Sequence, residues 1–272
     1  MSNSNDCFKK LLDSIEKNYG YNFHNYSAAS LTRRINNFME THHIDSYSNL
    51  SDLIESDSNV FENLLKNISI PVTEMFRDPE FYKSFKTNII PTLKTYAFLK
   101  IWCAGCATGE EAYSIAILLY EENLLDKTTL YATDFNNEAL SKAKEGIYPD
   151  TKMKKYISNY NSFSGENDFS KYFLAKYDSI KINDFIKNKI TFANHNLVTD
   201  GAFGEMNVIL CRNVMIYFDK ELSDRVLSLL TSSLTPNGFL CLGTKESLSF
   251  SAVSENFTCI DNASKIYKLR SQ

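Results

Sequence analysis

The chain has 272 residues, 43% hydrophobic and 23% charged, with a formal net charge of −4. That length fits one large domain or a main domain with a smaller companion. The acidic balance, with no basic cluster, excludes a partner held through phosphates, nucleic acid above all, and no apolar run approaches the roughly 20 residues needed to span a bilayer.

Residues 1–10 are polar and carry no signal-peptide core, so the protein is read as cytoplasmic. Its six cysteines, Cys7, Cys103, Cys106, Cys211, Cys241 and Cys259, are then read as reduced thiols. Cys103 and Cys106 form a C-x-x-C pair, but a zinc site would need two further ligands at matching spacing and none is evident, so no metal is expected.

Residues 1 to about 90 read as helical. Phe8, Leu11, Leu12 and Ile15 recur at helical spacing, as do Leu31, Ile35 and Phe38, then Leu50, Leu53 and Ile54, then Phe61, Leu64 and Leu65. Ser30 is read as the cap of the second helix. No proline occurs before Pro71, which suits a small bundle, and residues 1–80 carry 7 basic against 12 acidic side chains.

Near residue 100 the pattern changes. Leu99-Lys100-Ile101-Trp102 is a short strand that runs into the small-residue turn Ala104-Gly105-Cys106-Ala107-Thr108-Gly109. A helix follows over Glu110–Glu121, a second strand over Thr129–Thr133 ending at Asp134, and a second helix over Asn136–Lys144. This alternation predicts a parallel α/β sheet. Residues 150–190 read as a helix followed by a small inserted lobe, with strands at Ser179–Asn183 and Lys189–Phe192. Asn207–Cys211 is another buried strand. A helix over Lys220–Leu234 is ended by Pro236-Asn237-Gly238, and strands over Phe239–Gly243 and Lys265–Leu269 follow, the last one antiparallel.

The strand, turn, helix and later acid form the strongest feature. Small residues let the backbone approach a ligand, the helix start presents unpaired N–H groups, and an acid after the next strand accepts hydrogen bonds from ribose hydroxyls. Two readings fit: a dinucleotide-binding dehydrogenase and an S-adenosylmethionine-dependent methyltransferase. Glu110 and Glu111 serve equally well as ordinary first-turn acids and as a negative pair that repels a pyrophosphate while tolerating a cationic sulfonium. Taken with Asp134, they put the methyltransferase ahead.

Four stretches then carry a resemblance: Val72-Thr73-Glu74-Met75-Phe76-Arg77-Asp78, Trp102 through Ser114, Tyr131-Ala132-Thr133-Asp134, and Cys211-Arg212-Asn213-Val214-Met215-Ile216-Tyr217-Phe218. In order and spacing the chain resembles the chemotaxis receptor methyltransferase family, usually called CheR, from about residue 8 to residue 269. The resemblance implies a Rossmann-like, mainly parallel methyltransferase sheet with an N-terminal helical domain and a small inserted antiparallel β lobe. The implied divisions are a receptor-docking domain over 1–75, a linker over 76–90 carrying part of the cofactor site, and a catalytic domain over 91–272 with the lobe at about 170–192.

The resemblance also implies residue roles. Thr73, Arg77, Glu111, Asp134, Asn196, Leu197, Asn213 and Val214 would bind S-adenosylmethionine and its product S-adenosylhomocysteine. Arg77 and Tyr217 would act at the methyl-transfer site, and no metal would be bound. Arg33 and Arg34 match a helix that faces the receptor. Pro71 departs from relatives with a polar residue there, supplying neither a side-chain hydrogen bond nor an N–H. The acceptor would be a glutamate on the cytoplasmic domain of a methyl-accepting chemoreceptor or a similar signalling protein, with the enzyme acting as a monomer and without membrane insertion. A glutamate carboxylate is already ionised near neutral pH, so no general base is required, and no His–Asp pair is evident. The alternatives are a non-catalytic module that senses S-adenosylmethionine and a small-molecule methyltransferase. The latter has no need of a helical docking domain.

Some relatives hold a receptor's C-terminal peptide as an added strand on the inserted lobe, which in them has a glycine-bearing loop. Here Leu174–Phe185 contains no glycine, the nearest being Gly165. The lobe should form, because Ile180 and Ile182 alternate with Lys181 and Asn183, but its edge should bind such a tail poorly.

Overall fold

The N-terminal periodicities resolve into four helices in the computed structural model, which describes residues 2–68, 73–163 and 168–271. They are α1 (Ser2–Tyr19), α2 (Ala28–Thr41), α3 (Tyr47–Ser56) and α4 (Ser58–Ile68). Leu11, Ile15, Leu31, Ile35, Phe38, Leu50, Ile54, Phe61 and Leu64 are all buried, whereas Leu53 is exposed. Helix α1 packs on α3, and α2 on α4. Ser46 caps α3, its Oγ accepting the Asn49 N–H at 3.1 Å. For α2 the expected cap moves. Ser27 precedes the first turn and Ser30 lies inside the helix, because Ala28 and Ala29 are strong helix formers that extend it backward.

The chain divides into two compact units, one made of Met1–Pro71 with Tyr217–Arg225, the other of Val72–Ile216 with Val226–Gln272. In the first unit the returning segment is joined by the Ser27 N–H to the Tyr217 carbonyl at 2.8 Å and the Asp219 N–H to the Asn25 carbonyl at 3.0 Å. Tyr26 and Phe218 form an isolated antiparallel bridge, with ring centroids 5.1 Å apart. Arg34 is buried here, its guanidinium 4.5 Å above the Tyr217 ring and donating to the Ile68 carbonyl. Of the two arginines expected on a partner-facing helix, only Arg33 reaches the surface.

The second unit opens with α5 (Pro79–Asn88) and α6 (Ile90–Leu93), followed by β1 (Leu99–Ala104), α7 (Glu110–Glu121), β2 (Thr128–Asp134) and α8 (Asn137–Glu145). Next come β3 (Ile147–Pro149), α9 (Met153–Phe163), β4 (Phe173–Lys176), β5 (Ser179–Ile182), α10 (Asp184–Lys187) and β6 (Ile190–Asn194). The chain ends with β7 (Met206–Cys211), α11 (Lys220–Ser232), β8 (Leu234–Leu242), β9 (Phe257–Asp261) and β10 (Ile266–Leu269). The main sheet has the order β6-β2-β1-β7-β8-β10-β9. Strands β6, β2, β1, β7 and β8 run parallel, while β10 is antiparallel to both its neighbours. Cys103 pairs with Ala132 on one side and Leu210 on the other, and β1 and β7 are buried along almost their whole length, as strands covered on both faces must be. Met75, Phe76, Phe81, Phe85, Ile101, Ile115 and Leu210 belong to one continuous apolar core.

The lobe is a three-stranded antiparallel sheet of order β3-β5-β4, in which Ile180 and Ile182 are buried as their alternation requires. The strand expected at Lys189–Phe192 does form, but as β6 it is the edge of the main sheet, pairing Leu130 with Ile190 and Asp134 with Asn194. The chain leaves β2, passes through α8 and the lobe, and returns parallel to β2. Local periodicity does not record that crossover. Helix α11 stops at Ser232, and Pro236-Asn237-Gly238 sits within β8 at an irregularity of its register with β7. Strand β9 carries no clear alternation and was not expected. Pro71 and Gly165 lie outside the described residues.

Candidate functional site

In the main sheet the chain leaves β1 toward β2 on one side and later returns to pair β7 with its other side. Such a reversal opens a crevice beyond the carboxyl ends of the parallel strands. The turn after β1, Asp134 after β2, Asn196 and Leu197 after β6, and Asn213 and Val214 after β7 all lie at that one edge.

The turn after β1 is held to β2 by the Gly105 and Cys106 N–H groups, both donating to the Thr133 carbonyl at 2.8 and 2.9 Å. Gly105 has φ +73°, and a Cβ there would lie 2.4 Å from Val214 Cγ2, so both its conformation and its close approach to the β7 end require glycine. Ala107 adopts φ +48°, and its N–H donates to Asp134 Oδ2 at 2.8 Å. The other Asp134 oxygen accepts the Asn136 N–H at 2.9 Å. Burial raises the Asp134 carboxyl above its usual range, and these amides oppose the rise.

Glu110 and Glu111 do not act as a pair. Glu110 is buried in its own network: Lys152 Nζ and Tyr156 Oη reach Oε1 at 3.0 and 3.1 Å, and Thr108 Oγ1 reaches Oε2 at 2.6 Å. Its charge is spent on holding α9 to α7, so the argument that two acids together repel a pyrophosphate reduces to Glu111 alone. Glu111 meets Arg212, which lies within the stretch Cys211–Phe218 but received no role from the sequence. Arg212 is 1% exposed and donates at 2.8 Å to Glu111 and at 2.9 Å to Asp78, with its guanidinium 3.9 Å above the Phe81 ring. Burial raises the Glu111 carboxyl, while Arg212 and then Arg77 pull it back.

A second residue missed by sequence reading is Glu246, just beyond β8. Its carboxylate accepts the N–H groups of Asn213 at 2.9 Å, Met215 at 2.8 Å and Gly243 at 2.6 Å. It thereby holds the loop after β7, in which Asn213 adopts φ +61°. The one hint in the sequence was a buried-strand end followed by Gly243-Thr244-Lys245-Glu246. At the β6 end the Asn196 side chain accepts the Val198 N–H at 3.0 Å, and Leu197 is buried. Neighbouring His195 is enclosed by Trp102 and Phe203, its Nε2 at 3.1 Å from the Gly201 carbonyl.

Arg77 stands between two residues in the left-handed region, Phe76 at φ +51° and Asp78 at φ +57°. Non-glycine residues held there mark a conformation imposed by the surroundings. Phe76 is fully buried among Tyr82, Tyr160, Phe163 and Phe169, and Asp78 is held by Arg212. Arg77 borders a cleft of about 300 Å³. Thr73 is half-buried in the segment leading to it. Tyr217 is grouped with the helical unit, under Arg34. Cys103 and Cys106 are both buried, and burial pushes both thiols up, away from thiolate chemistry.

A buried acid at the end of β2 and another acid in the first turn of α7, beside a turn whose glycine admits close packing, are acceptors of the kind that the ribose hydroxyls and ammonium group of S-adenosylmethionine require. Residues 71–266 match the family model described as CheR methyltransferase, SAM binding domain, and residues 6–69 match CheR methyltransferase, all-alpha domain. Cher3 of Pseudomonas putida, provisionally named a methyltransferase, is 43% identical over 258 residues, which cover 95% of this chain and 94% of that one. A chemotaxis protein methyltransferase of Vibrio parahaemolyticus is 31% identical over 206 residues, covering 73% and 72%. One of Borreliella burgdorferi is 25% identical over 264 residues, covering 89% and 88%.

Proposed function

The chain belongs to the CheR family of S-adenosylmethionine-dependent methyltransferases, and from that premise we propose that it forms glutamyl methyl esters on the cytoplasmic domain of a methyl-accepting chemoreceptor or a related signalling protein. When bound, S-adenosylmethionine supplies an activated methyl group. The observation that carries the reading is the commitment of the site's acids. Glu111 is engaged by Arg212, Asp134 by two amides, and Glu246 by three amides. His195 is enclosed against a carbonyl. Among the described residues at the strand ends, none of these is disposed as a general base. A nucleophile that must first lose a proton would be poorly served. A glutamate carboxylate, with a reference pKa of about 4.3, arrives ionised, so positioning and exclusion of water are what the protein contributes.

Thr73, Arg77, Glu111, Asp134, Asn196, Leu197, Asn213 and Val214 are the proposed cofactor contacts, with Arg77 also orienting the acceptor. Too tight an arginine–carboxylate pair would stabilise the ground state, so its role is orientation rather than a clamp. The names of the Vibrio and Borreliella relatives support a chemotaxis receptor as acceptor. We place the protein in the cytoplasm as a monomer. No helix of the described residues is long and apolar enough to cross a membrane.

The test is to incubate the protein with methyl-labelled cofactor and a lysate of its own organism. Label released as methanol by mild alkali is expected, with turnover falling strongly in Arg77→Ala. Alkali-stable label would refute esterification.

A further inference from the structure

The cleft beside Arg77 is bordered by Glu74, Arg77, Asp78, Pro79, Lys155 and Asn159. Its acids are turned toward protein donors. Asp78 accepts from buried Arg212 at 2.9 Å, and Glu74 accepts from Asn159 Nδ2 at 3.2 Å. Lys155 is placed differently. Its side chain is 60% exposed, and its Nζ lies 3.9 Å from Glu74, a separation at the outer limit of an ion pair and worth little in water. Lys154, beside it, is also exposed.

Both lysines stand in the first turn of α9, which carries no acidic residue. Cations at a helix N-terminus oppose the macrodipole, so the stability of α9 does not account for them. The helix itself is firmly seated. Tyr156, Asn159, Tyr160 and Phe163 are buried, and Asn159 Nδ2 also donates to the Met75 carbonyl at 2.9 Å, tying α9 to the segment that presents Arg77. Lys155 on this rigid element borders the cleft, with Lys154 next to it in the same exposed turn, in a chain of net charge −4. A polyanion with a long charged backbone would be repelled by that net charge, whereas a peptide segment with a few clustered carboxylates meets a local complement.

We infer that Lys155, with Lys154 beside it, forms a docking shelf for a second acidic side chain of the protein acceptor, close to the glutamate that is methylated. This deepens the function proposed above and rests on it. The enzyme then selects glutamates in acidic surroundings, and the shelf acts on acceptor binding rather than on the cofactor.

The experiment uses the full chain, methyl-labelled S-adenosylmethionine and a purified chemoreceptor cytoplasmic domain as acceptor. Lys155→Glu is expected to raise KM for the acceptor about tenfold and Lys155→Gln about threefold. Affinity for S-adenosylhomocysteine, measured by calorimetry, should stay within about twofold, which also reports that the variants are folded. KM of the unaltered chain should rise with salt, and that dependence should flatten in Lys155→Glu. Alkali-labile label formed with the same acceptor KM in Lys155→Glu as in the unaltered chain overturns the shelf alone. No alkali-labile label from the unaltered chain overturns the esterification reading, and the shelf with it.

Discussion

Replacing Arg212 with methionine keeps side-chain length and removes the guanidinium from between two acids. Breaking one side of a buried charge pair costs about 3–5 kcal/mol, because the remaining charge is stranded. Glu111, 16% exposed, is stranded in this sense, whereas Asp78, 35% exposed, regains water and adds little. The lower end applies, about 3 kcal/mol. For a chain of this size that lowers the melting temperature by roughly 6–12 °C, readable by calorimetry. The companion variant Arg212→Met with Glu111→Gln removes the stranded charge and should recover to within about 1 kcal/mol of the parent. The pH dependence has a definite sign. Burial already holds the folded Glu111 carboxyl above its usual value, and loss of Arg212 removes the largest opposing influence. An acid whose folded pKa exceeds its unfolded one favours folding in its protonated form. The deficit of the single variant should therefore be full at neutral pH and shrink as pH falls through the raised pKa. A cost below about 1 kcal/mol, or a double variant no more stable than the single one, would refute the stranded-charge argument.

Asp134→Ala should weaken S-adenosylhomocysteine binding by about 1–3 kcal/mol through lost charge-assisted hydrogen bonds, and calorimetry giving an unchanged affinity would remove the ribose assignment. Because burial raises the carboxyls of both Asp134 and Glu111, affinity for the cationic cofactor should begin to fall with acidification above the usual carboxylate range, and a titration flat down to that range would contradict this. Gly105→Ala should destabilise the protein, since its Cβ would lie 2.4 Å from Val214 Cγ2 at φ +73°; Val214→Ala in the same chain should relieve the clash but not the backbone strain, and urea titration of both variants separates the two. The hairpin between β4 and β5 turns through Tyr177 at φ +52°, where glycine would be unstrained. A receptor tail peptide of the tethering type should bind this lobe weakly, and a micromolar or tighter dissociation constant lost on mutating residues 174–185 would contradict that.

Local features of the chain were legible because they rest on local physics. The helical stripes at Leu11 and Ile15, Leu31 and Ile35, and Leu50 and Ile54 became buried faces, since amphipathic spacing leaves a helix few other ways to remove apolar surface from water. The strand, small-residue turn, helix and Asp134 were legible because a tight turn demands particular residues. The order of the main sheet, the place of β6 at its edge and the two-part helical unit were not, because they depend on where the chain returns. The electrostatics were hidden in the same way. Arg212 meets Glu111 across 101 residues of sequence and Asp78 across 134, and Glu246 reaches Asn213 across 33. Adjacent Glu110 and Glu111 look alike in the sequence, yet one is consumed by Lys152 and the other faces Arg212. Composition and spacing set which charges the chain carries and where its regular elements start. Which charges neutralise one another is decided only when folding brings distant groups into a low-dielectric interior, where each buried ion requires a partner.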